Sequence, residues 1–265
     1  MVVRRGRGSA AGQRARQEEI CRYVTESGSR TVDEIAAVTG VSTMTVYRDV
    51  SELERAGLLH LARGQVTAAG SNVHEASSRY RRTQAMVVKK KLAEAALELV
   101  EPGSALFLDD SSTGLPLAKM LPRKSPLTVV THYLPVFKEL AGEPQIRLLM
   151  TGGEFIVWAD AFMGSTTLKT IRSMRADAVF MSATAIINGR VFHPTDNAAD
   201  VKRAMIECAS FRVLYADSTK FTRTALHEVA PISAFDVVIV DADLPSETMA
   251  SLRQIGPRVI QVESA

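Results

Sequence analysis

The stretch VSTMTVYRDVSELERAGLL, residues 41–59, decides the fold of the first part of the chain. Val46 and Val50 are four residues apart and begin an apolar face at helical spacing. Ser42 is a typical N-cap residue just ahead of that face, and Gly57 stands where helices often end in a left-handed residue. The pattern predicts a helix that starts after Ser42 and stops at Gly57.

The residues that precede this helix predict two more helices. Ile20 and Val24 form an apolar stripe of a first helix, and Thr31 with Glu34 forms a capping box for a second, which Gly40 ends. A helix, a tight glycine turn and a capped helix follow one another in the helix-turn-helix, whose later helix offers its first turns to base edges in the major groove. Interaction modules also use this shape, so protein binding is the alternative.

The hairpin after this helix predicts a wing. LLHLARGQVT, residues 58–67, reads as two short strands around Gly64, with Arg63 at the tip. Hydroxyl groups can reach phosphates or bases, and arginine can contact phosphate or bind a guanine edge through two hydrogen bonds. The predicted DNA-binding residues are Ser42, Thr43, Thr45, Tyr47, Arg48 and Arg63.

Charge is distributed unevenly along the chain. Residues 1–91 contain sixteen basic and nine acidic side chains, a balance of +7, whereas residues 92–265 contain sixteen and twenty, a balance of −4. This asymmetry favours contact between the first third of the chain and a polyanion. A basic arm that only improves solubility is the alternative.

Several other classes of protein do not fit the composition. No apolar run approaches the ~18 residues that a membrane span needs. The N-terminal arginines are not followed by the apolar core of a signal peptide. Cys21 and Cys208 fit no disulfide or metal-binding spacing. We therefore expect a cytoplasmic protein without a membrane segment, cofactor or metal.

From Pro102 onward, short apolar runs alternate with helical patterns, which predicts an α/β domain with a mostly parallel sheet. The helix ahead of these strands is expected to point Met86 and Leu92 inward. The predicted organisation is a winged helix-turn-helix over residues 1–67, with a flexible basic arm over residues 1–12, a polar linker over residues 68–79, and the α/β domain over residues 80–265.

Polar clusters follow four of the predicted strands, and in parallel sheets ligands bind beyond the carboxyl ends of the strands. Each cluster alone could be a plain turn, but together they predict a ligand pocket. A hydroxyl-rich loop that enters a helix near Gly114 suits a phosphate. The residues of these clusters are Asp110, Ser111, Ser112, Thr113, Thr131, His132, Gly152, Gly153, Asp217 and Lys220.

Asp109 and Asp110 raise the question of a metal ion. No third carboxylate or histidine lies at a telling spacing from them, so we favour a role for Asp110 in orienting sugar hydroxyls. For Asp217 and Lys220 the alternative is a mutual ion pair at the surface. Trp158, in a loop after Gly153, could cover a pocket or pack at a subunit contact.

Residues 41–59 are similar to the N-terminal winged helix of the DeoR family of bacterial transcription regulators, in which a valine–serine pair, a threonine three residues on and an arginine–aspartate pair recur. Tyr47 stands where a second arginine is usual. The family's sensor pattern continues in LTVVTHYLPV, LLMTGGEF and LYADSTKF, so the resemblance covers almost the whole chain. It implies a sensor domain with the fold of ribose-5-phosphate isomerase.

Residues 89–220 also resemble that isomerase itself, in which a lysine and a serine–threonine loop hold the sugar phosphate. This match implies that Lys89, Ser111, Ser112 and Thr113 do so here.

The isomerase's acid–base carboxylates are replaced in this chain. The same match puts Met181 and Thr184 where the isomerase has aspartates, and Lys202 where it has its glutamate base. The resemblance therefore implies that Lys202 binds the ligand and that there is no catalytic residue. A solvated helix face is the alternative for Lys202.

These inferences predict a DNA-binding transcription regulator, a repressor of sugar or polyol catabolism genes, whose operator binding responds to a phosphorylated sugar or polyol. Operators are usually read by symmetric dimers, so we expect a homodimer or homotetramer. The alternatives are an isomerase-like enzyme with a DNA-binding module, and a regulator controlled by a protein partner.

Overall fold

The computed structural model describes residues 10–27, 29–68 and 78–264. The chain divides into two compact units at the junction between Ser77 and Ser78. Residues 1–9 of the predicted arm and residues 69–77 of the predicted linker lie outside the described residues.

The first unit contains three helices and a small antiparallel sheet in the order β1-β3-β2. Its elements are α1 Ala10–Ser27, β1 Arg30–Thr31, α2 Val32–Thr39, α3 Thr43–Arg55, β2 Leu59–Ala62 and β3 Gln65–Ala68.

Local capping explains where these helices begin and end. The Thr31 hydroxyl accepts a hydrogen bond from the Glu34 backbone N–H at 3.1 Å, and the Glu34 carboxylate accepts one from the Thr31 N–H at 2.7 Å, so the predicted capping box is confirmed. Ser42 caps α3 by accepting from the Thr45 N–H at 3.3 Å. Gly57 follows α3 with φ +72°, a left-handed conformation that favours glycine.

The predicted apolar faces form the core of this unit. Val46 and Val50 of α3 are fully buried, as are Ile20 and Val24 of α1. The wing turns at Arg63, φ +50°, and the glycine after it, φ +76°. Two left-handed residues in a row are typical of the tight hairpin turn that matches strand twist.

The second unit is built around a sheet of seven strands, every neighbouring pair of which is parallel. Its elements are α4 Ser78–Arg81, α5 Met86–Leu97, β4 Ala105–Leu108, α6 Gly114–Met120, β5 Leu127–Thr131, α7 Leu134–Leu140, β6 Ile146–Met150, β7 Glu154–Ile156, β8 Ala161–Met163, α8 Ser165–Arg172, β9 Ala176–Met181, β10 Ala185–Ile187, β11 Arg190–His193, α9 Asp196–Glu207, β12 Ala209–Ala216, β13 His227–Pro231, β14 Val237–Asp241, α10 Ser246–Ile255 and β15 Arg258–Val262.

The strand order is β15-β14-β12-β9-β4-β5-β6, and the side of the sheet to which the chain adds new strands changes at β4. From β4 the chain adds β5 and β6 on one side, and it then returns to place β9, β12, β14 and β15 on the other. The loops that leave β4 and β9 therefore diverge, and a ligand crevice is expected at the carboxyl ends of these two strands. Ligands of open α/β sheets bind at such a point.

Short elements outside the main sheet were not predicted. They are the β7–β8 hairpin and an antiparallel sheet in the order β10-β11-β13. One inward position was also wrong: Leu92 is buried, but Met86 is 60% exposed because α5 begins at this residue and its side chain lines an open cavity. Among the described helices, none is long and apolar enough to cross a membrane.

Candidate functional site

The first turns of α3 present an exposed polar face. Thr43, Tyr47 and Arg48 are exposed, as the predicted DNA-binding role requires. Ser42 is exposed as well, and its hydroxyl oxygen lies 3.0 Å from that of the half-buried Thr45. These two side chains therefore stabilise the start of the helix.

Sequence reasoning missed two contributions to this surface. Met44 is 71% exposed, which gives the face an apolar side chain that could contact a thymine methyl group. Asp49 is buried and accepts a hydrogen bond from the Arg16 Nε at 2.5 Å. This buried pair fixes α3 against α1, and thereby sets the direction in which the exposed face points.

In the α/β unit, Asp109 organises the crevice between β4 and β9. Its carboxylate accepts hydrogen bonds from the Ser111 N–H at 3.1 Å and from the Ser182 N–H at 3.0 Å. It also accepts one from the Lys202 ammonium at 2.5 Å. One buried carboxylate thus joins the loop after β4, the loop after β9 and helix α9.

Lys202 lies between two carboxylates. Its Nζ is 2.5 Å from Asp109 Oδ2 and 3.1 Å from Asp110 Oδ1, and only 4% of its side chain is exposed. The alternative of a solvated helix face is therefore wrong. Burial raises the pKa of Asp110, but the charge of Lys202, with His132 beside it, outweighs burial and holds that pKa well below its usual range. Asp110 is thus ionised and acts only as a hydrogen-bond acceptor.

Asp110 and His132 retain unused hydrogen-bonding capacity. Within the described residues, Asp110 Oδ2 and both ring nitrogens of His132 have no hydrogen-bond partner. His132 Nε2 is 3.7 Å from Asp110 Oδ1, which is too long for a hydrogen bond, and both side chains are buried. Buried polar groups are almost always hydrogen-bonded, and each one left unsatisfied costs about 1–3 kcal/mol. An acceptor beside a ring that can both donate and accept suits ligand hydroxyl groups.

Tyr215, at the end of β12, has a third unsatisfied group, because its buried hydroxyl lacks a partner among the described residues. Burial, together with the charge of Asp109, raises its pKa well above the usual value. A Cβ at Gly114 would come within 2.6 Å of this hydroxyl, so the close approach requires glycine at that position. The only sequence signal for Tyr215 was its position just ahead of the polar cluster that contains Asp217.

Lys89 and Ser112 meet at a cationic cavity. The Lys89 ammonium donates to the Ser112 hydroxyl at 2.9 Å and to the Arg81 carbonyl at 2.5 Å. The cavity has a volume of about 280 Å³, and none of its lining residues is acidic. Its basic lining residues are Arg82, Lys89, Lys90 and Lys119.

The environment of Lys89 also alters its ionisation. Burial lowers the pKa of Lys89 to about 7, and the nearby charge of Lys220 adds to the effect. Helix α6, which follows the serine–threonine loop, is only seven residues long. The cationic side chains, rather than this short helix, therefore supply the attraction for an anion.

Several predicted binding residues have hydrogen bonds that shape the loops. The Ser111 hydroxyl accepts from the Gly114 N–H at 3.0 Å, and the Thr131 hydroxyl donates to the Leu108 carbonyl at 2.9 Å. Thr113 is buried at the start of α6 and makes no side-chain cap bond there. These contacts fix the loops after β4 and β5.

The loop after β6 depends on two glycines. The Gly152 carbonyl accepts from the Thr167 hydroxyl at 2.6 Å. A Cβ at Gly153 would lie 2.2 Å from that hydroxyl oxygen, at a φ of +122°. These contacts shape the loop after β6.

Asp217 and Lys220 form an ion pair of 3.7 Å. With 5% and 13% of their side chains exposed, they are not the surface pair considered as the alternative. Burial raises the pKa of Asp217, but Lys220 and a hydrogen bond from Thr219 lower it by more. The pair lies close enough to Lys89 to influence its ionisation.

Metal binding gains no support from this arrangement. Within residues 10–27, 29–68 and 78–264, no group of three or more histidine, cysteine, aspartate or glutamate side chains could hold a metal ion.

Two family models match the chain in the order of its two units. Residues 16–72 match the DeoR-like helix-turn-helix domain, and residues 84–242 match the DeoR C terminal sensor domain. The chain belongs to the DeoR family. It is a DNA-binding transcriptional regulator with a C-terminal sensor domain, as the sequence predicted.

Relatives of this DeoR-family chain match it over most of their length. The L-fucose operon activator of Haemophilus influenzae is 28% identical over 87% of this chain and 92% of its own. The lactose phosphotransferase system repressor of Staphylococcus epidermidis is 28% identical over 85% and 91%. The solved structure of ribose 5-phosphate isomerase A from Methanocaldococcus jannaschii matches over 52% of this chain and 55% of its own, at 14% identity and with a TM-score of 0.39.

Proposed function

We propose that this chain is a repressor of sugar or polyol catabolism genes whose operator binding changes when a phosphorylated sugar or polyol binds in the α/β unit. One observation carries the proposal. The loop after β4 presents Ser112 to a cationic cavity and, two residues earlier, presents the buried, unsatisfied Asp110 next to His132. An anion-binding group and a hydroxyl-binding group thus lie on one short loop.

The cavity favours a phosphate as the anionic group. Ser112 and the Lys89 ammonium lie 2.9 Å apart, so one phosphate can accept from both. Hydrogen bonds to an ionised acceptor are roughly twice as strong as those between neutral groups. The other basic residues of the cavity attract the same charge.

The unsatisfied pair favours hydroxyl groups at the other end of the ligand. A sugar or polyol hydroxyl can donate to Asp110 Oδ2 and accept from the imidazole of His132. Each new bond would satisfy a buried group that otherwise destabilises the unit, so ligand binding gains the corresponding free energy. An apolar ligand would leave both groups unsatisfied.

Binding without turnover is part of the proposal. Isomerisation of a sugar needs a base that takes up and returns a proton near neutral pH. Lys202 is held between two carboxylates. Asp110 is a weak base because its pKa is low. Met181 and Thr184 have no carboxylate to offer.

The regulator needs DNA as its second partner. We propose that the exposed face of α3 and the wing at Arg63 read the operator, that a homodimer or homotetramer binds its half-sites, and that the protein acts in the cytoplasm. The names of the two curated relatives connect the family to sugar genes, and the lactose system repressor supports the repressing sign. Coupling requires that the effector bind two conformations of the protein with different affinity.

A thermal-shift panel of sugar phosphates beside their unphosphorylated parents tests the effector. A ligand at a hundred times its Kd stabilises the native state by about 2.7 kcal/mol. We expect a shift with a phosphorylated sugar and none with its parent. Ser112→Ala should abolish the shift, whereas Ser233→Ala, at an exposed position of the same unit, should retain it.

The phosphate that shifts the wild type should then be added to the protein bound to DNA from upstream of its own gene. Release of the DNA agrees with a repressor that is relieved by its effector. If no phosphorylated sugar or polyol stabilises the wild type, the proposed effector class is wrong.

A further inference from the structure

Helix α4 is where the chain enters the α/β unit, since Ser78 is the first residue of that unit and the first described residue after position 68. This helix has only four residues and depends on bonds to the rest of the unit. The contacts that hold it and the residue after it are Ser78 N–H to the Trp158 carbonyl at 2.7 Å, Ser78 Oγ to Tyr133 OH at 2.6 Å, Arg82 to Asp160 at 3.2 Å, and Lys89 Nζ to the Arg81 carbonyl at 2.5 Å.

Two of these contacts originate in the candidate effector site. Lys89 shares its ammonium between the Arg81 carbonyl and Ser112 of the serine–threonine loop. Tyr133 directly follows His132, and the His132 carbonyl accepts from the Phe162 N–H at 2.8 Å. His132 of the candidate site and Tyr133, which bonds to Ser78, are therefore neighbours on one short segment, and this segment pairs with Phe162.

We propose that Tyr133 is a positioning residue that holds α4 in place together with Lys89, and that an anion bound by Lys89 and Ser112 draws the Lys89 ammonium away from the Arg81 carbonyl and loosens α4. This inference rests on the proposed function, and it names the segment through which that function is regulated. Tyr133 acts through its hydrogen bond to Ser78.

The Lys89 ammonium has three N–H donors, of which the Arg81 carbonyl and the Ser112 hydroxyl use two, so an anion can accept from the third. A backbone carbonyl is neutral, whereas a phosphate is charged and accepts the stronger hydrogen bond. We expect Lys89 to move towards the anion, which weakens its hydrogen bond to the Arg81 carbonyl while the contacts at Ser78 and Arg82 stay in place. Tyr133 and Ser78 are buried, so their hydrogen bond is shielded from water and continues to restrain α4.

Hydrogen exchange of the full-length protein, with inorganic phosphate as the probe and chloride at equal ionic strength as the control, tests this inference. We expect phosphate to protect the amides of residues 111–114 and to make the amides of residues 78–82 exchange about tenfold faster. Amides of β14, a strand whose residues are all buried, should not change. Trp158 is the only tryptophan of the chain, so its fluorescence should report the same change.

A pair of tyrosine variants separates positioning from general destabilisation. Tyr133→Phe removes the bond to Ser78, so residues 78–82 should exchange faster even in chloride, while phosphate still protects residues 111–114. Tyr215→Phe removes an equally buried hydroxyl that has no partner within the described parts of the chain, and should leave residues 78–82 unchanged. Ser78→Ala should reproduce the effect of Tyr133→Phe.

Two results would overturn the inference. Phosphate could protect residues 111–114 while the exchange of residues 78–82 stays the same or slows, in which case the anion site stands and only the role of α4 falls. If phosphate fails to protect residues 111–114, the anion site itself is wrong, and both the proposed function and this inference fall with it.

Discussion

Replacing Lys202 by methionine should strongly destabilise the α/β unit. The side chain keeps its length and loses its charge, which leaves Asp109 and Asp110 buried without their shared cation. Removing one partner of a buried ion pair destabilises proteins by about 3–5 kcal/mol. For a domain of this size each kcal/mol lowers Tm by about 2–4 °C, so the expected loss is about 6–20 °C.

Trp158 fluorescence follows the unfolding of this unit alone, because the first unit contains no tryptophan. Thermal or urea unfolding of the variant should be compared with Lys138→Met, the same substitution at an exposed position of α7. Adding Asp110→Asn to Lys202→Met removes one of the uncompensated charges and should restore part of the stability. A loss below about 1 kcal/mol, no larger than that of the control, would refute the assignment of Lys202 as the counterion of both carboxylates.

Three further predictions concern the other parts of the molecule. The pKa of Lys89 is about 7 in the free protein, and a bound anion raises that pKa, so binding takes up a proton. Above pH 7 the Kd of the effector should therefore increase with pH, with a slope that approaches about tenfold per pH unit. Calorimetry that finds a constant Kd would exclude Lys89 as a phosphate ligand. Arg48→Ala should weaken operator binding by about 1–3 kcal/mol if the arginine reads a base, whereas Arg55→Ala at the other end of α3 should have little effect in the same gel-shift titration. Gly153→Ala should lower the Tm of the α/β unit, because its Cβ would overlap the Thr167 hydroxyl at a positive φ; an unchanged Tm would show that the loop can adjust.

Much of the fold was predictable because its signals are local. The capping box at Thr31, the N-cap at Ser42 and the left-handed Gly57 each require only neighbouring residues, and the apolar periods of α3 and of the central strands predicted what is buried. The β10-β11-β13 sheet escaped prediction because its strands are only three to five residues long and give no clear period.

The candidate site was predictable only in part. The polar clusters at strand ends were found because parallel strands place their carboxyl ends on one side of a sheet. The role of Asp109 was not found, since its contact with Lys202 joins residues 93 positions apart, and nothing near either residue in the sequence signals that contact. The contact between Tyr133 and Ser78 spans 55 positions and was missed for the same reason.

Around the change of side at β4, the residues that stabilise the unit and the residues proposed to determine its ligand lie in different places. Strands β4, β5 and β9 are filled mostly by buried apolar side chains, while Asp110 and Ser112 lie on the loop after β4 and His132 lies on the loop after β5. Substitutions in these loops can therefore alter ligand preference while the apolar core stays as it is. The same scaffold can therefore be engineered as a genetically encoded biosensor, by varying a few loop positions and selecting for a response to a new inducer.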